Sequence, residues 1–225
     1  MCKEILVMYN IQTMIEKNNM SRMILDMAAK FEGELIKGFE AVQKYPKTVT
    51  FFGSSRFQED NKHYQVAREL SALICKEDYT VITGGGGGIM EAGNRGSKEE
   101  CGTSVGFNIE LPMEQATNEY VTHGVSFNFF ASRKMAMYFS GEAYIFFPGG
   151  YGTLDEFFQI LTLIQTQKIE VAPIICVGAE YWNSVNDLIV NTLMEEGTIS
   201  EEDPSLYTIT DDLEEVLRII QSTSH

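Results

Sequence analysis

The sequence predicts an α/β fold of the doubly wound kind: a parallel sheet with helices on both faces, preceded by an N-terminal helical extension. Three observations predict it. From Lys47 onward, short runs rich in Val, Ile, Phe and Thr each end in glycine or another turn residue and are followed by a helical pattern. These runs are apolar almost throughout, as strands buried on both faces are, and their alternation with helices implies parallel pairing. Before Lys47 the spacing is helical instead.

Between about Ser21 and Gln43 the residues Ile24, Met27, Phe31, Leu35, Phe39 and Val42 recur at three- and four-residue intervals, the period of an amphipathic helix. Residues 1–46 are therefore expected to form the extension and residues 47–225 the main domain. Strands are expected at Thr48–Phe52, Thr80–Thr83, Ser104–Ile109, Ala143–Phe147 and Pro173–Val177. Helices are expected at Tyr64–Lys76, Ile89–Glu100, Phe130–Phe139, Thr153–Gln167, Tyr181–Glu195 and Leu213–Gln221. There is no internal repeat, and no linker separates two domains.

Composition narrows the function. The 225 residues carry 17 Lys and Arg against 32 Asp and Glu, a net charge of −15. Such a surface repels a phosphate backbone, so nucleic acid is not an expected partner. Cys2, Cys75, Cys101 and Cys176 lie far apart, with no C-x-x-C and no histidine at metal-ligand spacing, and read as reduced thiols without a metal. Ile5 to Met8 is too short an apolar run for a signal peptide, and no segment approaches the ~18–20 apolar residues of a membrane span. A cytoplasmic protein with no membrane partner is expected.

In doubly wound sheets ligands bind outside the carboxyl ends of the strands, near the point where strand order reverses. Three glycine-bearing turns lie at such ends: Gly53-Ser54-Ser55, Gly84 to Gly88, and Pro148-Gly149-Gly150-Tyr151-Gly152-Thr153. Phosphate is the usual ligand when backbone must approach closely. The five-glycine run lacks the last glycine of G-x-G-x-x-G, and the chain contains no Gly-Lys pair for a phosphate-binding loop of the Walker type. Gly102-Thr103-Ser104-Val105-Gly106 matches G-x-S-x-G, but its serine starts a strand instead of sitting on a strand-to-helix turn.

Pro148–Glu156 is more informative. An apolar strand feeds it, and a helix with Leu154, Phe157, Leu161 and Ile164 on one stripe leaves it. Backbone amides of Gly149, Gly150, Tyr151, Gly152 and Thr153 would point outward at a helix N-terminus, where the dipole favours an anion. Thr153-Leu154-Asp155-Glu156 also reads as a capping box, so Glu156 is either a cap or a functional carboxylate. Arg133 and Lys134 fall in the first half of a short helix, where a cation opposes the dipole. They are either a solvated pair or partners for a phosphate or carboxylate. Glu114, in the turn Leu111-Pro112-Met113-Glu114-Gln115, is either a surface charge or a ligand contact.

Taken together, these residues resemble the LOG (Lonely Guy) family, phosphoribohydrolases that release a base from a nucleoside 5′-monophosphate. The resemblance rests on P-G-G-x-G-T-x-x-E at Pro148–Glu156, the Arg133-Lys134 pair, the Gly53-Ser54-Ser55 turn, and the glycine run leading into Ile89-Met90-Glu91-Ala92. It extends from about Thr48 to Leu188. Leu111–Gln115 and Leu161–Thr166 resemble the longer bacterial form, which has an N-terminal helical extension. Gly87 stands where that form often has proline.

The resemblance implies a Rossmann-like nucleotide-binding domain and a catalytic pair, Arg133 and Glu156. It implies substrate contacts at Gly53, Ser54, Glu114, Arg133, Lys134, Gly149, Gly150, Tyr151, Gly152, Thr153, Glu156 and Thr162. The implied substrate is AMP or an N6-substituted AMP, with no cofactor and no metal, in a homodimer or larger homo-oligomer. Members often carry the older label "lysine decarboxylase", yet the chain has no His-Lys pair of the kind sought around pyridoxal phosphate. A nucleotide or molybdenum-cofactor carrier of similar fold is the alternative, and a protein-interaction role through the acidic surface is a third reading.

Overall fold

The computed structural model describes residues 2–110 and 117–222, with side chains described for these apart from 2–18 and 101. Seven strands form one sheet in which every pairing is parallel: β1 (Thr48–Phe52), β2 (Thr80–Thr83), β3 (Val105–Ile109), β4 (His123–Phe127), β5 (Ala143–Phe146), β6 (Ile174–Cys176) and β7 (Tyr207–Ile209). Their order is β4-β3-β2-β1-β5-β6-β7, so strand order reverses between β1 and β5. Thr50 pairs there with Tyr144, and Phe52 with Phe146. The doubly wound fold is as expected.

Seven α-helices accompany the sheet among the described residues: α1 (Cys2–Val42), α2 (Lys62–Lys76), α3 (Ile89–Cys101), α4 (Phe130–Tyr138), α5 (Tyr151–Gln165), α6 (Ala179–Leu188) and α7 (Leu213–Gln221). Strand side chains alternate between the two faces, which sorts the core. Val49, Phe51, Ile145 and Phe147 pack with Tyr64, Leu70 and Ile74 of α2, Ile89 and Ala92 of α3, and Val216 and Ile220 of α7. Phe52, Phe107, Phe127 and Phe146 pack on the other face with Met137 of α4, Phe157 and Ile160 of α5, and Trp182 of α6. Each of the buried Val, Leu, Ile, Phe and Met side chains stabilises the fold by about 1.5–3 kcal/mol relative to exposure.

The structure differs from the sequence expectation at three points. β4 and β7 were not expected; they are the two edges of the sheet, and β4 exposes His123, Gly124 and Ser126. A strand with one neighbour and one wet face lacks the continuous apolar run that marks the central strands. The first helix begins at Cys2, far ahead of Ser21. Finally, Cys75 is disulfide-bonded, although Cys176 is a free buried thiol. Sequence spacing does not report which cysteines the fold brings together. No helix among the described residues is long and apolar enough to cross a membrane.

Candidate active site

The reversal between β1 and β5 opens a crevice at the carboxyl ends of both strands, as the topology requires. The turns after them are joined directly, since the Ser54 amide donates to the Pro148 carbonyl at 3.0 Å. The glycine run after β2 closes on the same place: Ile89 N–H donates to the Ser54 carbonyl at 3.0 Å. Gly88 has φ +66°, and a Cβ there would overlap the backbone of Ser54 and Ser55. Glycine is needed at that corner for both reasons.

The resulting cleft has a volume of about 640 Å³. Its lining includes Gly53, Ser54, Arg56, Met90, Arg133, Gly149, Gly150, Tyr151, Gly152, Thr153 and Glu156. All three glycine turns contribute to it or support it, and both members of the Arg133–Glu156 pair face it.

α5 begins at Tyr151 with Gly150 as its N-cap, and no side chain caps it. The capping-box alternative is thereby corrected: the glycines let the helix start two residues before Thr153, which sits buried in the first turn with Glu156 beyond it. The first hydrogen bond of α5 runs from Leu154 N to Gly150 O at 3.1 Å. Helix geometry leaves the amides of Tyr151, Gly152 and Thr153 without intrahelical acceptors, at the positive end of the dipole. A Cβ on Gly150 or Gly152 would meet nothing within 4 Å, so both glycines border open space. Free amides at a helix N-terminus have the geometry and polarity that suit an anion.

Glu156 is partly buried, and burial pushes its carboxyl up to about 7, against the opposing pull of Arg133 and Lys134. Burial pushes Arg133 in the opposite sense, below the ordinary arginine value, while the Glu156 charge holds it up. Arg133 Nε donates to the Phe107 carbonyl at 2.7 Å. Its guanidinium lies over Gly84, where any Cβ would overlap Nη2. Thus α4 supplies the cation, β3 fixes it, and the glycine after β2 makes room for it.

The other expected residues divide. Lys134 stands beside the cleft and pairs with Asp155 on α5. Thr162 is not brought into the cleft; its Oγ1 donates to the Phe158 carbonyl at 2.7 Å, and it borders a small separate cavity of about 80 Å³ with Leu193 and Leu206. Glu114 lies outside the described residues. Arg56 and Met90 line the cleft without having been singled out as contacts. For Arg56 a signal existed, a cation three residues after a strand-terminating glycine. Among the described residues no group of three His, Cys, Asp or Glu side chains gathers as a metal site.

The family model described as "Possible lysine decarboxylase" matches residues 90–220. The chain belongs to that family, the LOG family. A relative from Archaeoglobus fulgidus, an uncharacterized protein, is 31% identical over 98 residues, covering 43% of this chain and 63% of its own length. The cytokinin riboside 5′-monophosphate phosphoribohydrolase of Rhodococcoides fascians is 26% identical over 180 residues, 79% of this chain and 90% of the relative. Among solved structures, TM1055 superposes with a TM-score of 0.60 at 24% identity over 78% of this chain and 99% of its own. The molybdenum cofactor carrier protein of Chlamydomonas reinhardtii superposes with a TM-score of 0.56 at 19% identity, over 79% and 97% of the two chains. Both structural likenesses bear on the fold of this LOG family member.

Proposed function

We propose that this LOG family protein hydrolyses the N-glycosidic bond of a nucleoside 5′-monophosphate, AMP or an N6-substituted AMP, to free base and ribose 5-phosphate. The observation that carries the proposal is the pairing in one cleft of an uncapped helix N-terminus with Glu156, whose carboxyl is held near pH 7 by burial. The relative from Rhodococcoides fascians, named for this reaction, supports it.

In this reading the amides of Tyr151 to Thr153 bind the 5′-phosphate, and Arg56 adds a cation at the rim. Anchoring the phosphate orients the ribose, which lowers the barrier by several kcal/mol in comparable systems. Cleavage of the C1′–N bond builds positive charge on the sugar ring, as in other glycoside hydrolyses. The ionised Glu156 carboxylate stabilises that charge and takes a proton from the attacking water. The water oxygen joins C1′, the bond's electron pair leaves with the base, and the base takes up the proton that Glu156 removed from water. Arg133 keeps Glu156 anionic and faces the ligand.

The homodimer implied by the family belongs to the same proposal. Phe130 and Met135 on α4 and Phe139 just after it are exposed apolar residues that a second copy would cover. The reaction is tested by incubating the protein with a panel of nucleoside monophosphates and separating free bases by chromatography. Release of adenine from AMP is expected. Saturable binding of AMP that remains intact would overturn hydrolysis in favour of a carrier.

A further inference from the structure

α4 carries Arg133, yet it has no cap of its own: its N-cap residue is Phe129, whose side chain accepts nothing. An acceptor for the chain entering α4 comes from α1. The Glu34 carboxylate accepts hydrogen bonds from the Asn128 amide at 2.8 Å, Asn128 Nδ2 at 2.8 Å, the Phe129 amide at 3.3 Å and Ser132 Oγ at 2.6 Å. Glu34 is only 8% exposed.

The rest of the α1–α4 contact is apolar and close, which fixes where that carboxylate sits. Phe31 packs edge-on against Phe129 with ring centres 5.9 Å apart, and Phe39 against Phe139 at 5.6 Å. Gly38 lies between them, where a Cβ would come within 2.7 Å of Ala136 Cβ. Phe31, Glu34, Gly38 and Val42 recur at helical spacing on one face of α1. A buried carboxylate in this stripe is costly unless it is bonded, and four donors meet it. Burial acts to raise its pKa, but bonds from Ser132, Asn128 and Phe129 outweigh this and hold it below the usual glutamate range.

We propose that Glu34 is a positioning residue: through it the N-terminal helix ties down the chain entering α4 and so holds Arg133 in place over Gly84 and against the Phe107 carbonyl. A negative charge at the start of α4 also offsets the dipole that a cation on its first turns opposes. For the role of Arg133 in turnover the proposal rests on the reaction proposed above; for its placement it does not.

The test uses the full chain and three variants: Glu34→Ala, Glu34→Gln, which keeps one acceptor, and Glu40→Ala on the exposed face of α1 as a control. Solvent exchange of the Arg133 Nε proton, read by NMR well below the unfolding temperature, reports its bond to Phe107 directly. It is expected to quicken about tenfold in Glu34→Ala, to move less in Glu34→Gln, and to stay constant in Glu40→Ala. kcat with AMP is expected to fall in the same order. Unchanged Nε exchange in both Glu34 variants would overturn the proposal, as would altered exchange with unchanged kcat in an active enzyme. Should the unmodified protein leave AMP intact, the reaction assignment fails and the Nε exchange alone decides the placement of Arg133.

Discussion

Arg133 and Glu156 face one cleft from two different helices, and each resists the effect of burial on the other. Burial favours the neutral carboxyl, while the neighbouring guanidinium favours the carboxylate. The balance leaves Glu156 titrating at about 7, within the range where its charge can be switched experimentally.

kcat/KM for AMP should rise as pH passes upward through about 7, because the free enzyme needs Glu156 ionised. Arg133→Gln should move that limb upward by about one pH unit as well as lowering the plateau. A pH–rate profile of both proteins checks this.

Glu156→Gln separates catalysis from stability. Because the folded-state pKa of Glu156 is raised, its favourable contribution is complete below the ordinary value of 4.5 and is lost as pH rises through about 7. The variant should therefore be more stable than the parent at pH 8, by about 1–2 kcal/mol, and close to it at pH 4. Its kcat should fall by about 10²–10⁴. Denaturant melts at the two pH values and steady-state rates test both halves.

Gly152→Ala opposes folding to binding. Gly152 lies inside α5, and a methyl group there meets nothing within 4 Å. Stability should rise by about 0.5–1 kcal/mol, the helix preference of alanine over glycine. KM for AMP should increase at least about tenfold, since the methyl enters the space assigned to the phosphate. Thermal melts and KM values decide this together.

Arg56→Ala should raise KM by about three- to tenfold with little change in kcat, as expected of an exposed cation that attracts but does not orient. The effect should shrink at high ionic strength, because exposed charges are screened. Rates at two salt concentrations measure it.

The central elements were legible because their residues carry local instructions. Val49, Phe51 and Phe52 make β1 apolar almost throughout, and the glycines after β1, β2 and β5 mark the very turns that meet at the cleft. The edge strands β4 and β7 were hidden, since each has a single neighbour and β4 leaves His123 and Ser126 wet. The start of α5 was misread by two residues: Thr153 and Glu156 suit a capping box, but Gly150 lets the helix begin earlier. Glu34 could not be recognised from its neighbours. Its partners lie at least 94 positions away, and only packing of α1 on α4 gives it meaning.

On the proposed function, the turn opening α5 holds the phosphate of a nucleotide and so sets the residue at 156 against its sugar. A crystal structure of the Glu156→Gln variant with AMP tests it most directly. Phosphate oxygens are expected within hydrogen-bonding distance of the Tyr151, Gly152 and Thr153 amides, with the side chain at 156 directed at C1′ of the ribose. AMP bound elsewhere, or bound there with residue 156 turned away from the sugar, would contradict it.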